Sequence, residues 1–123
     1  MKISNRRIAD VTILDISGRV VAGEAVLLRD SVRGLIARGE MNIVLNLAEV
    51  PYIDSAGIGE LVSALVAVRR DGGCMGLLHL TRRVRDVLEI VKLVPVFRIF
   101  DNEAQAVATM PQNRSGELRA RAS

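Results

Sequence analysis

The stretch from Asn42 to Leu47 limits the fold more than any other part of the chain. It is a nearly unbroken apolar run. A strand that reads this way is usually covered on both faces, as in a parallel sheet. On either side the period changes to that of a helix. Between Glu24 and Arg38, the residues Ala25, Leu28, Val32, Leu35 and Ile36 recur at helical spacing, and Gly39 is a natural stop. Between Ser55 and Arg70, the residues Ile58, Leu61, Val62 and Leu65 share one face, and Asp71-Gly72-Gly73 ends the run. A buried strand held between two such helices points to an α/β layer.

The remaining segments extend that pattern. Ile3 to Ile8 and Val11 to Ser17 read as a hairpin turned at Ala9-Asp10, because aspartate tolerates turn geometry, and Gly18 closes it. Cys74 to Leu80 is the next strand. Thr81 caps a helix through Lys92, with Val84, Val87, Leu88 and Val91 inward. Pro95 precedes a last strand, Val96 to Phe100, and Asp101 caps a final helix through Met110. The predicted fold is a single α/β domain over residues 1–110. It has a mixed, mostly parallel five-stranded sheet and about four helices, in the order β-β-α-β-α-β-α-β-α. The first strand is the antiparallel one, at an edge. From Pro111 to Ser123 the chain is polar without an apolar period, and it is expected to be a disordered tail.

Composition removes several functions. A chain of 123 residues that is half hydrophobic can bury a core without disulfides or metal. Tyr52, Phe97 and Phe100 are its only aromatic residues, so that core is aliphatic. The net charge is +3, of which the tail carries +2 through Arg114, Arg119 and Arg121 against Glu117. No basic stripe with interleaved aromatics or recognition motif is present, so direct nucleic-acid binding is not expected. A lone cysteine, Cys74, excludes an intrachain disulfide and agrees with a reducing compartment. Met1 to Asp15 alternates polar and apolar residues and does not read as a signal peptide, and no run is long enough for a membrane span. The expectation is a cytoplasmic domain.

The informative motif is Asp54-Ser55-Ala56-Gly57-Ile58-Gly59. It follows the buried strand and a short loop, at the C-terminal edge of the sheet, where α/β proteins place their sites. Gly57 and Gly59 fall in the first turn of a helix, each at a cost of about 1 kcal/mol relative to alanine. Close approach of another backbone is the simplest offset. Gly57-Ile58-Gly59 also begins a dinucleotide fingerprint, but its third glycine would fall at Val62. A hydrolase reading of Ser55 fails as well, with no Gly-x-Ser-x-Gly and one histidine, His79, at a strand end or in the core. One His and one Cys make no metal-ligand set. Cys74 reads as a buried strand residue. Arg82, Arg83 and Arg85 form a basic cluster at a helix start, either a solvated face or a patch for an acidic partner.

On the Asp54 to Gly59 motif after the strand Ile43 to Leu47, with Gly18 after the second strand and the same element order, the chain resembles the STAS domains. This fold is shared by bacterial anti-sigma factor antagonists and the cytoplasmic ends of sulfate transporters. The resemblance covers about residues 2–110. It implies a STAS-type fold, no enzymatic activity and no cofactor. In the antagonist branch, the serine after the aspartate is phosphorylated by the anti-sigma factor, itself a serine kinase. That serine is Ser55 here, and a metal-dependent serine phosphatase resets it. The resemblance implies partner contacts by Asp54, Ala56, Gly57, Ile58, Gly18, Arg19 and Glu24. Two positions depart from the family pattern. Its aspartate three residues after the glycine is Val21, with Glu24 the nearby carboxylate that can substitute. The residue after the phosphorylated one, often Ser or Thr, is Ala56. The alternative role is a fixed STAS subunit of a signalling scaffold or lipid-transport complex, and the bland reading of Asp54-Ser55 is a helix cap.

Overall fold

A computed structural model describes residues 1–110, and the tail at 111–123 lies outside the described residues. One sheet holds five strands in the order β1-β2-β3-β4-β5. Strand β1 (Lys2–Ile8) pairs antiparallel with β2 (Val11–Ser17). Strands β3 (Asn42–Glu49), β4 (Cys74–Leu78) and β5 (Arg98–Phe100) follow in parallel. Helices α1 (Val26–Ala37), α2 (Ser55–Arg70) and α3 (Arg82–Ile90) make the crossovers, and helix α4 (103–110) follows β5.

Each strand from β2 onward is added on the same side as the last. Right-handed crossovers then send every connecting helix to one face. There Leu14, Ile16, Ile43, Leu45, Leu47 and Leu77 of the strands pack with Leu28, Leu61 and Leu88 of the three helices. Alternate strand residues point the other way. On that second face Val11, Ile13, Val44 and Leu78 meet Phe100, and Ala106 and Met110 of α4 close over them. The apolar run of β3 is thus covered on both faces for its first half. Beyond it the second face turns polar. Asp15 takes Arg6 at 2.6 Å and Asn46 at 2.8 Å, and Arg6 also holds Glu103 at 2.5 Å, tying the start of α4 to the hairpin.

Several predicted boundaries move. The left-handed residue of the hairpin turn is Ala9 (φ 53), not Asp10. Helix α1 starts at Val26 rather than Glu24, after a turn in which Glu24 and Ala25 both donate to the carbonyl of Val21. Strand β4 stops at Leu78, because His79 is left-handed (φ 56) and spends its N–H on the carbonyl of Phe100. Helix α3 stops at Ile90, and Lys92 sits beyond its end with φ 62. The strand expected from Val96 is shorter. Val94–Val96, holding Pro95, forms one 3₁₀ turn, and β5 begins at Arg98. Asn102, not Asp101, caps α4, its side-chain oxygen accepting from the N–H of Gln105 at 3.0 Å. Cys74 is half-buried rather than buried. Thr81 caps α3 as predicted, and its hydroxyl also donates to the carbonyl of Val50 at 2.9 Å.

Candidate functional site

The ends of β2 and β3 continue side by side as two loops. The N–H of Gly18 donates to the carbonyl of Glu49, that of Val20 to Tyr52, and that of Asp54 back to Val20. Val20 and Ile53 form an isolated parallel bridge. The loop after β2 is therefore pinned to the loop that launches α2. Gly18 needs its positive φ of 100 for this path, and a side chain there would press on the backbone of Met1.

Asp54 locks the junction. One carboxylate oxygen accepts from the N–H of Gly57 at 2.9 Å and caps α2, and the other accepts from the N–H of Ala22 at 3.0 Å in the neighbouring loop. The N–H of Ala22, then that of Gly57, holds the carboxyl below its ordinary pKa, so it is ionised at neutral pH. Gly57 is buried under Val20 and Ile53, and a Cβ there would fall onto the carbonyl oxygen of Val20 and within 2.6 Å of Ile53 Cγ1. The backbone approach predicted for the two glycines holds at this one. Gly59 is different: a Cβ there would meet nothing within 4 Å, and the residue is exposed.

These contacts set Ser55 at the first helical position of α2, with Asp54 as the cap. Ser55 and Ala56 are exposed, and Ile58 is half-exposed. Among the described residues no side chain bonds the Ser55 hydroxyl. The first N–H groups of a helix lack internal partners and carry partial positive charge, so added negative charge is tolerated there. Glu24 is turned back to the chain start, its carboxylate 2.7 Å from the amino group of Met1. Arg19 is exposed at the loop tip, its guanidinium over the ring of Tyr52 at 5.1 Å.

The two loops and the start of α2 thus bring Gly18, Arg19, Asp54, Ser55, Ala56 and Gly57 together, with Ile58 on the next exposed position. Glu24 stands apart in its bond to Met1. Two features escaped the sequence. The carboxylate of Asp54 bonds across to Ala22 as well as capping its own helix. Arg83, at the start of α3, stacks on the same Tyr52 ring at 5.2 Å. The available signal was the position of Tyr52, a lone tyrosine beside the motif.

Known proteins share this fold. A family profile described as the STAS domain matches residues 2–106. BtrV of Bordetella bronchiseptica is 28% identical over 108 residues, covering 88% of this chain and 93% of BtrV. The anti-sigma F factor antagonist of Paenibacillus polymyxa is 26% identical over 101 residues, covering 81% of this chain and 86% of the relative. Among solved structures, the Thermotoga maritima protein TM1081 superposes with a TM-score of 0.82 at 25% identity, covering 89% of this chain and 94% of that one. Among the described residues, no group of three or more His, Cys, Asp or Glu side chains could hold a metal ion, and no helix is long and apolar enough to cross a membrane.

Proposed function

The chain belongs to the STAS domain family, and from that premise we propose that it is an anti-sigma factor antagonist: a regulatory protein, not an enzyme, that binds an anti-sigma factor. In this reading the anti-sigma factor is a serine kinase, Ser55 is the residue it phosphorylates, and a serine phosphatase reverses the mark in the cytoplasm. The observation that carries the reading is the exposed Ser55, whose hydroxyl bonds no side chain among the described residues, on a junction where Asp54 bonds both loops and Gly57 lets them approach. A kinase needs an accessible hydroxyl. A binding surface needs a fixed backbone beneath it, and Asp54 supplies that by bonding both loops at once.

The switch is electrostatic. A phosphate carries a charge of roughly −1.5 to −2. Buried at an interface without a cationic partner, such a charge is costly, as any unpaired charge is. The unmodified domain binds and the phosphorylated one is released.

The test mixes the full chain with its anti-sigma factor, ATP and magnesium, followed by mass spectrometry. Phosphate is expected on Ser55, and Ser55→Ala should remain unmodified and bind constitutively. If Ser55→Ala is phosphorylated as fully as the wild type, or if the phosphorylated and unmodified chains bind equally well, the proposal fails.

A further inference from the structure

We infer that Arg19 and Arg83, gathered on the ring of Tyr52, form a docking point for carboxylate side chains on the protein partner that meets Ser55. The inference rests on the partner-binding reading above and adds the chemistry that the partner must present.

Three separate connections meet at this ring. Arg19 follows β2, Tyr52 lies between β3 and α2, and Arg83 stands in the first turn of α3 after β4. The two guanidinium carbons lie 5.1 and 5.2 Å from the ring centroid, so they are no more than about 10 Å apart. Exposed like charges within that distance repel only weakly at physiological salt, so the pair can stand together without an acid between them. Some arginines are paired with acids. Arg6 pairs with Asp15 and Glu103, Arg7 with Glu40, Arg29 with Glu60, and Arg85 with Asp101. What sets Arg19 and Arg83 apart is the ring they share. Like Arg33, Arg38, Arg69, Arg70, Arg82 and Arg98, they have no ion pair among the described residues. Asp86, which shares a shallow depression with Arg82 and Arg83, forms none with them either.

The ring face attracts both cations and limits their motion, while their N–H donors stay in water, since both arginines are exposed. A guanidinium held in place offers a planar fork that suits a carboxylate. An acidic surface approaching this edge would gain charge-assisted bonds to both guanidinium groups. It would also be steered toward it, because complementary charge mainly raises the rate of encounter. An open, exposed pair of this kind fits side chains on a protein surface better than a free anion, which is held best in an enclosed ring of donors.

The experiment titrates the full ¹⁵N-labelled chain at low ionic strength with hexaglutamate peptide, with hexalysine peptide and with inorganic phosphate. Hexaglutamate should shift the resonances of Arg19, Tyr52 and Arg83 to saturation, and hexalysine should not. The double variant Arg19→Gln with Arg83→Gln should bind about tenfold more weakly or worse, with an otherwise unchanged spectrum. Tyr52→Leu should weaken binding by a smaller factor, and Arg38→Gln, at the C-terminal end of α1, should leave it unchanged. Shifts spread over other exposed arginines such as Arg69 and Arg70 would overturn the inference. So would a double variant that binds as the wild type does, or phosphate reproducing the same saturation. The titration is independent of the kinase. A chain that passes it without ever being phosphorylated keeps this surface and loses the switch, and the opposite pair of results loses the surface alone.

Discussion

Gly57 and Gly59 are two positions apart in the first turns of α2, and they answer to opposite constraints. At Gly57 the obstacle is the backbone of Val20, which cannot rotate aside as a side chain could. Gly57→Ala should therefore cost about 1–3 kcal/mol, as overpacking does, read as a lower urea midpoint. At Gly59 there is open space and helical backbone, so Gly59→Ala should stabilise the chain by about 0.4–1 kcal/mol. A destabilised Gly59→Ala would mean that the helix start is strained in a way the contacts do not reveal. In the sequence these glycines look alike, each costing a helix the same amount. What separates them is Val20, which comes from a different loop and reaches Gly57 only after the sheet has formed. Asp54 was legible as a cap for the same local reason that its bond to Ala22 was not. A cap lies within three residues, whereas the second bond reaches back 32 residues, across β3 and α1.

At the scale of elements, α1, α2 and α3 end alike. In each, the second residue past the cap donates back to the carbonyl three before it: Glu40 to Leu35, Gly73 to Val68, and Leu93 to Leu88. The residue between must be left-handed. It is Gly39 and Gly72 in the first two helices but Lys92 in the third. Lys92→Gly should therefore stabilise the chain by about 1 kcal/mol, measured by thermal or urea unfolding. The glycines announced the ends of α1 and α2 in the sequence. No residue type announced the end of α3, and the helix was read two residues too long. The same holds for the start of β5, where Pro95 and the burial of Phe97 make a 3₁₀ turn from a segment of strand-like composition. Helix α4 depends on a different contact. The Arg6 guanidinium is the chief cause holding both Asp15 and Glu103 below their usual carboxyl range. A carboxyl depressed in the folded state contributes stability above its unfolded pKa of about 4 and loses it as pH falls through the folded value. Urea midpoints for the wild type should fall below about pH 4, and Arg6→Ala should flatten that fall. The loss at neutral pH should stay at or below about 1 kcal/mol per pair, since these groups are one-third exposed. An unchanged acid limb in Arg6→Ala would remove this pair as the anchor of α4.

The whole molecule divides its two jobs between its parts. The β-strands alternate residues between two apolar clusters, one under α1, α2 and α3 and one under α4, and these hold the chain together. At the C-terminal edge Val20, Val50 and Ile53 anchor the loops in the first cluster, while Arg19, Ser55 and Arg83 are exposed and belong to neither. A modification at that edge should then change recognition without changing the fold. The magnitudes bear this out. Phosphate on Ser55 would gain about 0.3–1 kcal/mol from the helix N-terminus, and the ionised Asp54 beside it would work against that gain. The fold should move little in either direction. At an interface, an uncompensated phosphate costing about 3–4 kcal/mol would lower affinity 100- to 1000-fold. Under the docking proposed above, Arg19 and Arg83 could soften this penalty only by giving up the partner's carboxylates. The expected outcome is a ¹H–¹⁵N spectrum of the phosphorylated chain that differs near Ser55, Val20 and Ala22 and is unchanged at α4 and β5, alongside a large loss of affinity for the anti-sigma factor. Shifts reaching Met110 or Phe100 would mean that the edge and the two clusters are coupled, and that the mark works by altering the fold instead of by blocking a surface.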